Sequence, residues 1–129
     1  MNSFCTYCSA TKRDEPGEIP AIHRYQSARI DNIYSAACLL GVEFYILSGE
    51  FGLIPPERTI PWYDHLLKPE EASVLADRIV GQIRQHGITT LIYFTQPLAQ
   101  EPHALPYHDA IAVACSRATA AFCVIEMRV

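Results

Sequence analysis

The segment Phe44-Tyr45-Ile46-Leu47, followed directly by Ser48-Gly49, decides the fold class. Four apolar residues in a row, without polar alternation, are typical of a strand buried on both faces, as in a parallel sheet covered by helices. Upstream of this run, apolar residues recur at the helical period at positions 30, 33, 34, 37 and 38. Gly41 then suits the end of a helix. The sequence therefore predicts a helix that leads into a buried parallel strand.

Strands and helices alternate along the rest of the chain. Apolar runs predict further strands at 4–8, 90–95 and 122–127, and apolar stripes predict helices at 69–86 and 105–117. The resulting order is β-α-β-α-β-α-β within one α/β domain that spans residues 1–129. This order predicts a three-layer αβα sandwich with a mostly parallel four-stranded sheet. The pattern leaves the strand order open.

Composition narrows the class of protein. The chain has 129 residues, of which 50% are hydrophobic and 19% are charged, as expected for a globular domain with its own core. No apolar run approaches the roughly 18–20 residues of a membrane span, and the first residues lack the pattern of a signal peptide. A cytoplasmic protein without a membrane partner is therefore expected. The net charge of −4 argues against general coating of nucleic acid.

The five cysteines do not suggest a disulfide framework. Cys38, Cys115 and Cys123 lie in apolar patterns and are expected in the core. Cys5 and Cys8 would face opposite sides of an extended strand, and no second Cys/His pair follows at zinc spacing. We expect neither a metal site nor a bound cofactor.

The loops that follow the strands locate the predicted site. In open α/β sheets, ligands bind beyond the carboxyl ends of the strands. The exits of the first three strands lie at 8–13, 48–52 and 95–97, and the first two are rich in hydroxyl groups, glycine and charge. We therefore expect Ser9 and Ser48 to lie in one cleft.

The first exit offers groups for an anionic or carbonyl-bearing ligand. The hydroxyl groups of Ser9 and Thr11 donate hydrogen bonds, and Lys12 adds a point charge. The alternative is that Ser9 and Thr11 form a turn or a helix cap while Lys12 is solvated. Cys8, beside them at the end of the strand, is a candidate nucleophile.

The second exit begins a long loop at 48–67. Ser48-Gly49 would let the backbone approach a ligand closely, and Glu50 is either a general base or a solvated carboxylate. Near the end of the loop, Tyr63 and Asp64 suit ligand contacts, with Trp62 as a further pocket wall. The alternative for this end of the loop is structural anchoring, with Trp62 in the core.

Three stretches carry a resemblance to a known family. The stretch 47–56, followed by Ile60-Pro61-Trp62-Tyr63-Asp64, resembles the signature loop of the YaaA-type superfamily of peroxide-stress proteins, in particular its short bacterial and phage members. The stretches 8–12 and 23–27 are similar to the first-strand exit and the tyrosine-containing segment of that superfamily. A more remote likeness is to the transferase domain of archaeosine synthase. The resemblance covers about half of the chain.

This resemblance implies a site for a nucleobase or nucleic acid, in a setting of oxidative or DNA stress. It adds Tyr25 to the expected pocket. Short relatives often carry lysine where this chain has Glu50, and the segments of longer members that are implicated in DNA contact have no counterpart here. Duplex DNA binding is therefore not expected.

Three hypotheses follow for the function. The first is an enzyme-like domain that binds a nucleobase, nucleotide or modified base and carries out a transferase or N-glycosidic type of reaction. The second is a non-catalytic nucleic-acid-binding or stress module, and the third is a protein-interaction domain. An exposed basic patch of Lys12, Arg13, Arg24 and Arg29 would favour the second hypothesis, whereas a pocket with a buried polar cluster would favour the first. The oligomeric state is left open.

Overall fold

A computed structural model describes residues 2–127 of the chain. The strands in this part are β1 (Asn2–Tyr7), β2 (Ile19–Pro20), β3 (Glu43–Ser48), β4 (Gly52–Ile54), β5 (Thr59–Ile60), β6 (Thr90–Thr95) and β7 (Ala121–Glu126). The α-helices are α1 (Ala21–Arg24), α2 (Ala28–Leu40), α3 (Ala72–His86) and α4 (Leu105–Arg117). Short 3₁₀ turns at Pro69–Glu71 and Pro102–Ala104 lead into α3 and α4. None of the described helices is long and apolar enough to cross a bilayer.

The main sheet of the described region has five strands in the order β4-β3-β1-β6-β7. The strands β3, β1, β6 and β7 are parallel, and Phe4 of β1 lies in register with Phe44 of β3 and Ile92 of β6. The mixed α/β class and the mostly parallel sheet are therefore confirmed. The expected count of four strands was wrong, because β4 adds an antiparallel edge strand next to β3.

The extra strand forms inside the segment that the sequence predicts as loop. The hydroxyl oxygen of Ser48 accepts hydrogen bonds from the backbone N–H groups of Glu50 and Phe51, at 3.0 and 3.1 Å, which tightens the reversal after β3. Gly52 then adopts φ +76°, a left-handed conformation that glycine takes without steric cost. This turn chemistry is local and polar, so the hydrophobic pattern does not show it.

Helices contact the sheet through side chains that alternate along its strands. Tyr34 of α2 packs against Phe44, with ring centroids 5.4 Å apart. The next residue of the same strand, Tyr45, packs instead against His86 of α3 at 5.1 Å. Since successive strand residues point to opposite faces, α2 and α3 contact different faces of the sheet.

The helix boundaries follow from recognisable end signals. Ser27 caps α2 by accepting a hydrogen bond from the N–H of Ile30 at 3.3 Å, and Gly41 ends the helix with φ 68°. Gly87 ends α3 in the same way, with φ 65°. The apolar stripe predicted for α3 is confirmed, since Leu75, Ala76, Ile79, Val80 and Ile83 are all buried.

The cysteines only partly follow the expected burial. Cys115 is buried on α4, as expected, whereas Cys38 and Cys123 are exposed free thiols. Cys38 lies on the outer side of α2, two residues before its end at Leu40. Cys123 lies on β7, the last strand of the sheet, with a neighbouring strand on one side. The placement of these two cysteines in the core was therefore wrong.

Candidate functional site

A cavity of about 510 Å³ lies at the carboxyl ends of β1 and β6. In chain order the four parallel strands run β1, β3, β6, β7, but β3 and β6 lie on opposite sides of β1. The chain therefore winds outward in one direction and then reverses, and the point of reversal lies between β1 and β6. Ligands of open α/β sheets bind in the crevice at such a point.

Four segments of the chain form the cavity wall. They are the exit of β1, the start of α2, the end of the long loop before α3, and the connection from β6 to α4. The lining residues are Tyr7, Cys8, Ser9, Ala10, Lys12, Arg29, Asp64, His65, Leu66, Gln96, Glu101, His103, Ala104 and Tyr107.

The Cys8 thiol is buried beside a tyrosine hydroxyl group. Its Sγ atom lies 3.8 Å from the hydroxyl oxygen of Tyr107, and that oxygen accepts a hydrogen bond from the N–H of Leu67 at 3.0 Å. The backbone N–H of Cys8 donates to the carbonyl of Leu47 at 2.8 Å, which continues the β1–β3 pairing up to the cavity. Burial raises the pKa of the Tyr107 hydroxyl. Tyr107 is therefore a neutral hydrogen-bonding partner for the thiol at ordinary pH.

Arg29 supports the exit of β1 from the first turn of α2. Its Nη1 group donates to the hydroxyl of Thr6 at 2.6 Å and to the carbonyl of Tyr7 at 2.7 Å, and its Nη2 group donates to the carbonyl of Cys8 at 3.3 Å. The guanidinium also lies over the Tyr7 ring, 3.7 Å from its centroid. Desolvation lowers the pKa of Arg29 from its ordinary value. From the sequence, Arg29 was expected only as part of a basic patch; its place at the start of the helix that follows the first strand exit was the one available signal.

Lys12 enters the cavity from the loop after β1. Its backbone forms an antiparallel bridge with Tyr25, and its Nζ atom lies 4.5 Å from the centroid of the Tyr63 ring. Desolvation lowers the pKa of Lys12, and the negative charge of Asp64 acts in the opposite direction. Lys12 is thus a partly desolvated ammonium group at the cavity wall.

Ser48, Tyr25 and Tyr63 form a buried hydroxyl cluster outside the set of residues that line the cavity. The Tyr63 hydroxyl lies 2.5 Å from that of Tyr25 and 2.8 Å from that of Ser48. All three side chains are buried, and Ser48 has no exposed surface. Burial raises the pKa values of both tyrosines. The structure therefore brings these three predicted residues together, but their hydroxyl groups bond to one another.

The remaining predicted residues of the first two exits have local partners. The Ser9 hydroxyl lines the cavity but donates to the carbonyl of Thr11 at 2.8 Å, as a turn requires, and Thr11 itself is exposed outside the lining. Gly49 is buried, and a Cβ atom there would lie 3.3 Å from both Leu67 Cβ and the Tyr107 hydroxyl oxygen. Close packing is therefore a sufficient reason for glycine at this position.

Glu50 does not line the cavity itself, but it contacts a histidine that does. The Nδ1 atom of His65 lies 2.8 Å from Oε1 of Glu50, and its Nε2 atom lies 2.9 Å from Oε2 of Glu71. The hydrogen bond with Glu50 is the largest cause that raises the pKa of His65. His65 lines the cavity next to Asp64, whereas Glu50 does not. The sequence offered no signal for this pairing, because Glu50 and His65 are 15 residues apart and the path of the chain between them, through β4 and β5, was not predicted.

Trp62 and the four basic residues of the proposed patch do not form the expected surfaces. Trp62 is 52% exposed and lies outside both the core and the cavity lining. Arg24 has no exposed surface, and its guanidinium donates to the main-chain carbonyls of residues 13, 15, 17 and 60 at 2.7–3.2 Å. Arg29 is bonded to β1, as described above. Lys12, Arg13, Arg24 and Arg29 therefore do not form an exposed basic patch.

Within residues 2–127, no group of three or more His, Cys, Asp or Glu side chains is arranged to hold a metal ion. No family model matches the sequence, and searches of the curated proteins and of the solved structures found no match. The resemblance to the YaaA-type superfamily therefore stays a prediction, and a function has to be inferred from the cavity.

Proposed function

We propose that this domain binds a small molecule that contains a nucleobase, as a free base, nucleoside or nucleotide, in the cavity between β1 and β6. The observation that carries the proposal is the position and size of this cavity, about 510 Å³ at the point where the strand order reverses. Cavities of this size, between roughly 300 and 1,000 Å³, are typical of small-molecule sites.

The lining supplies both kinds of contact that a base needs. Leu66, which is 51% exposed, provides apolar surface for the face of a ring, and Tyr7 and Tyr107 also line the cavity. The amide of Gln96 and the carboxylate of Glu101 provide hydrogen-bonding groups for its edge. Gln96 is held by the Tyr7 hydroxyl, which donates to its Oε1 atom at 3.2 Å.

A transferase or N-glycosidic type of reaction is the proposed chemistry. Cys8 is the candidate nucleophile, because its thiol lines the cavity beside Tyr107. Glu50, the other candidate from the sequence, acts in this proposal through His65, since its carboxylate lies outside the lining. We also propose a cytoplasmic location. We further propose a three-layer arrangement around the five-stranded sheet, which the contacts of α2 and α3 with different faces of the sheet support.

The alternative, a non-catalytic nucleic-acid-binding or stress module, has less support. It depends on an exposed basic surface, and Arg24 and Arg29 are instead engaged with main-chain carbonyls. The net charge of −4 also opposes association with a polyanion.

A thermal-shift screen against nucleobases, nucleosides, nucleotides and short oligonucleotides tests the proposal. A ligand that binds the native state raises its melting temperature. We expect at least one nucleobase, nucleoside or nucleotide to raise the melting temperature of the wild type. The same compound should raise that of Glu101→Gln by less. Glu18→Gln, which changes an exposed carboxylate outside the lining, should match the wild type. The proposal would be contradicted if no nucleobase, nucleoside or nucleotide raised the melting temperature, or if Glu101→Gln showed the same shift as the wild type.

A further inference from the structure

Arg29 brings to the cavity a positive charge that has no direct ion-pair partner among the described residues. Its side chain is partly buried, and its three hydrogen bonds go to uncharged oxygen atoms of Thr6, Tyr7 and Cys8. Among the described residues, the ion pairs within 4.0 Å involve His65, His108 and Arg117, so Arg29 has no carboxylate partner at that distance. Removing a charge from water without such a partner is costly. A binding site tolerates this cost where the ligand supplies the opposite charge.

Arg29 also retains unused donors. A guanidinium group has five N–H donors, and the contacts with β1 use three of them, two on Nη1 and one on Nη2. The Nε–H and one Nη2–H have no acceptor in the part of the chain that the structure describes. A guanidinium group with free N–H donors on two of its nitrogen atoms can bind two oxygen atoms of one phosphate or carboxylate.

Lys12 is a second cation of the same kind. Its Nζ atom has one hydrogen-bond acceptor, the Ala10 carbonyl at 3.5 Å, which is at the limit for such a bond, and it takes part in none of the ion pairs of residues 2–127. Lys12 and Arg29 line the same cavity from opposite ends of the segment between β1 and α2.

The charge balance of the cavity limits the number of phosphate groups. Asp64 and Glu101 line the cavity together with Lys12 and Arg29, so two carboxylates accompany the two permanent cations. A triphosphate or a nucleic-acid strand would place further negative charge beside these carboxylates. A single phosphate leaves Asp64 and Glu101 to accept hydrogen bonds from amino or hydroxyl groups elsewhere on the ligand.

From these contacts we infer that Lys12 and Arg29 form a subsite for one phosphate group, so that the ligand is a nucleoside monophosphate rather than a free base or nucleoside. The nucleoside part of this inference rests on the proposed function, whereas the phosphate subsite rests on the two cations alone. The two parts can therefore be tested separately.

Titration calorimetry on the whole chain compares adenosine, guanosine, cytidine and uridine with their 5′-monophosphates, and inorganic phosphate with chloride. We expect at least one monophosphate to bind about tenfold or more tightly than its nucleoside, as a charge-assisted contact predicts. This advantage should shrink at high salt, because the phosphate contact is ionic. A monophosphate that binds no more tightly than its nucleoside would overturn the phosphate inference and leave the proposed function intact.

Lys12→Gln is the decisive variant, because the Lys12 Nζ atom forms no ion pair within residues 2–127; its contacts there are a weak hydrogen bond to the Ala10 carbonyl and cation–π contacts with the Tyr63 and Tyr25 rings. It should lower affinity for the monophosphate several-fold and leave affinity for the nucleoside unchanged. Arg29→Lys should do the same if it folds, since lysine lacks the planar pair of donors. Arg13→Gln, an exposed arginine in the same loop outside the lining, is the matched control and should bind like the wild type.

The remaining outcomes separate the two proposals. Binding of inorganic phosphate that depends on Lys12, without binding of any nucleoside or nucleotide, would support the subsite and contradict the proposed function. Equal loss of monophosphate affinity in Lys12→Gln and Arg13→Gln would indicate general attraction to positive charge and overturn the subsite. Failure of every compound to bind would contradict both.

Discussion

The hydroxyl oxygens of Tyr25 and Tyr63 lie 2.5 Å apart, although the two residues are 38 positions apart in the chain. Ser48 extends this contact with a hydrogen bond of 2.8 Å to Tyr63. The cluster joins the segment before α2, the end of β3 and the loop before α3. It therefore fixes the position of the loop whose next three residues line the cavity.

Tyr63→Phe should destabilise the free protein. The substitution keeps the ring and removes the hydroxyl group, which leaves buried oxygen atoms of Tyr25 and Ser48 with one partner fewer. We expect the free energy of unfolding in urea to fall by about 1–3 kcal/mol. Ligand affinity, once a ligand is found, should change little.

Tyr45→Phe is the control for this experiment. Tyr45 is 4% exposed, so it is a buried tyrosine like Tyr63, but it lies on β3 and its hydroxyl is not part of the cluster. Its stability should remain close to that of the wild type. A stable Tyr63→Phe protein with weakened ligand binding would instead place the Tyr63 hydroxyl in the binding site.

The stability of the protein should depend on pH through His65. Because the pKa of His65 is raised in the folded protein, its stabilising contribution is complete below the unfolded value of about 6.5 and is lost as the pH rises through the folded value. The pKa of Glu71 is lowered, mainly by the N–H of Lys68, so its contribution is present above about 4.3 and is lost below it.

Urea unfolding of wild type and His65→Gln at a series of pH values measures this contribution. The difference in free energy of unfolding should be largest at roughly pH 5–6 and should shrink towards pH 9. His23→Gln, which changes an exposed histidine outside the contacts of Glu50, His65 and Glu71, is the matched control. A difference between wild type and His65→Gln that is constant from pH 5 to 9 would exclude the bridging role of a protonated His65.

Gly52→Ala should weaken β4, the antiparallel edge strand of the main sheet. Gly52 has φ +76°, and a Cβ atom there would collide with the Oε1 atom of Gln82. That oxygen accepts from the N–H of Leu53 at 2.8 Å, and the amide nitrogen of Gln82 donates to the carbonyl of Phe51 at 3.0 Å. We expect a loss of at least about 2 kcal/mol from the backbone strain and the displaced hydrogen bonds together, measured by denaturation.

Gly81→Ala provides a control of opposite sign. Gly81 lies inside α3 with open space where a Cβ atom would be. Alanine should stabilise the protein by about 0.5–1 kcal/mol at this helical position. Equal effects of the two substitutions would show that Gly52 is not under the constraint described here.

The sequence predicted the elements whose signal is carried by local apolar periodicity. The stripe of α3 and the buried run of β3 are examples, because burial on one stripe or on both faces leaves a direct trace in the residue order. It also predicted Cys8 and Lys12 at the exit of β1, and both line the cavity. Their role in binding stays a prediction.

Strand order and side-chain pairing could not be predicted from local apolar periodicity. The position of β6 next to β1, which creates the cavity, depends on contacts between distant segments. Ser48 and Tyr63 were interpreted as ligand contacts because polar groups at a strand exit are typical of sites, but such groups can also bond to one another. The contact of Glu50 with His65 likewise depends on how the chain folds back between them through β4 and β5.

The buried guanidinium of Arg24 has a consequence for how this protein can diverge. Its contacts with residues 13–17 go to main-chain carbonyl oxygens, which every amino acid possesses. The path of this segment is therefore held without reference to its own side chains. Substitutions at the exposed positions Asp14 and Glu15 can accumulate while the neighbouring turn that carries Lys12 keeps its place. Arg24 thus holds the shape of residues 13–17 whichever side chains these positions carry.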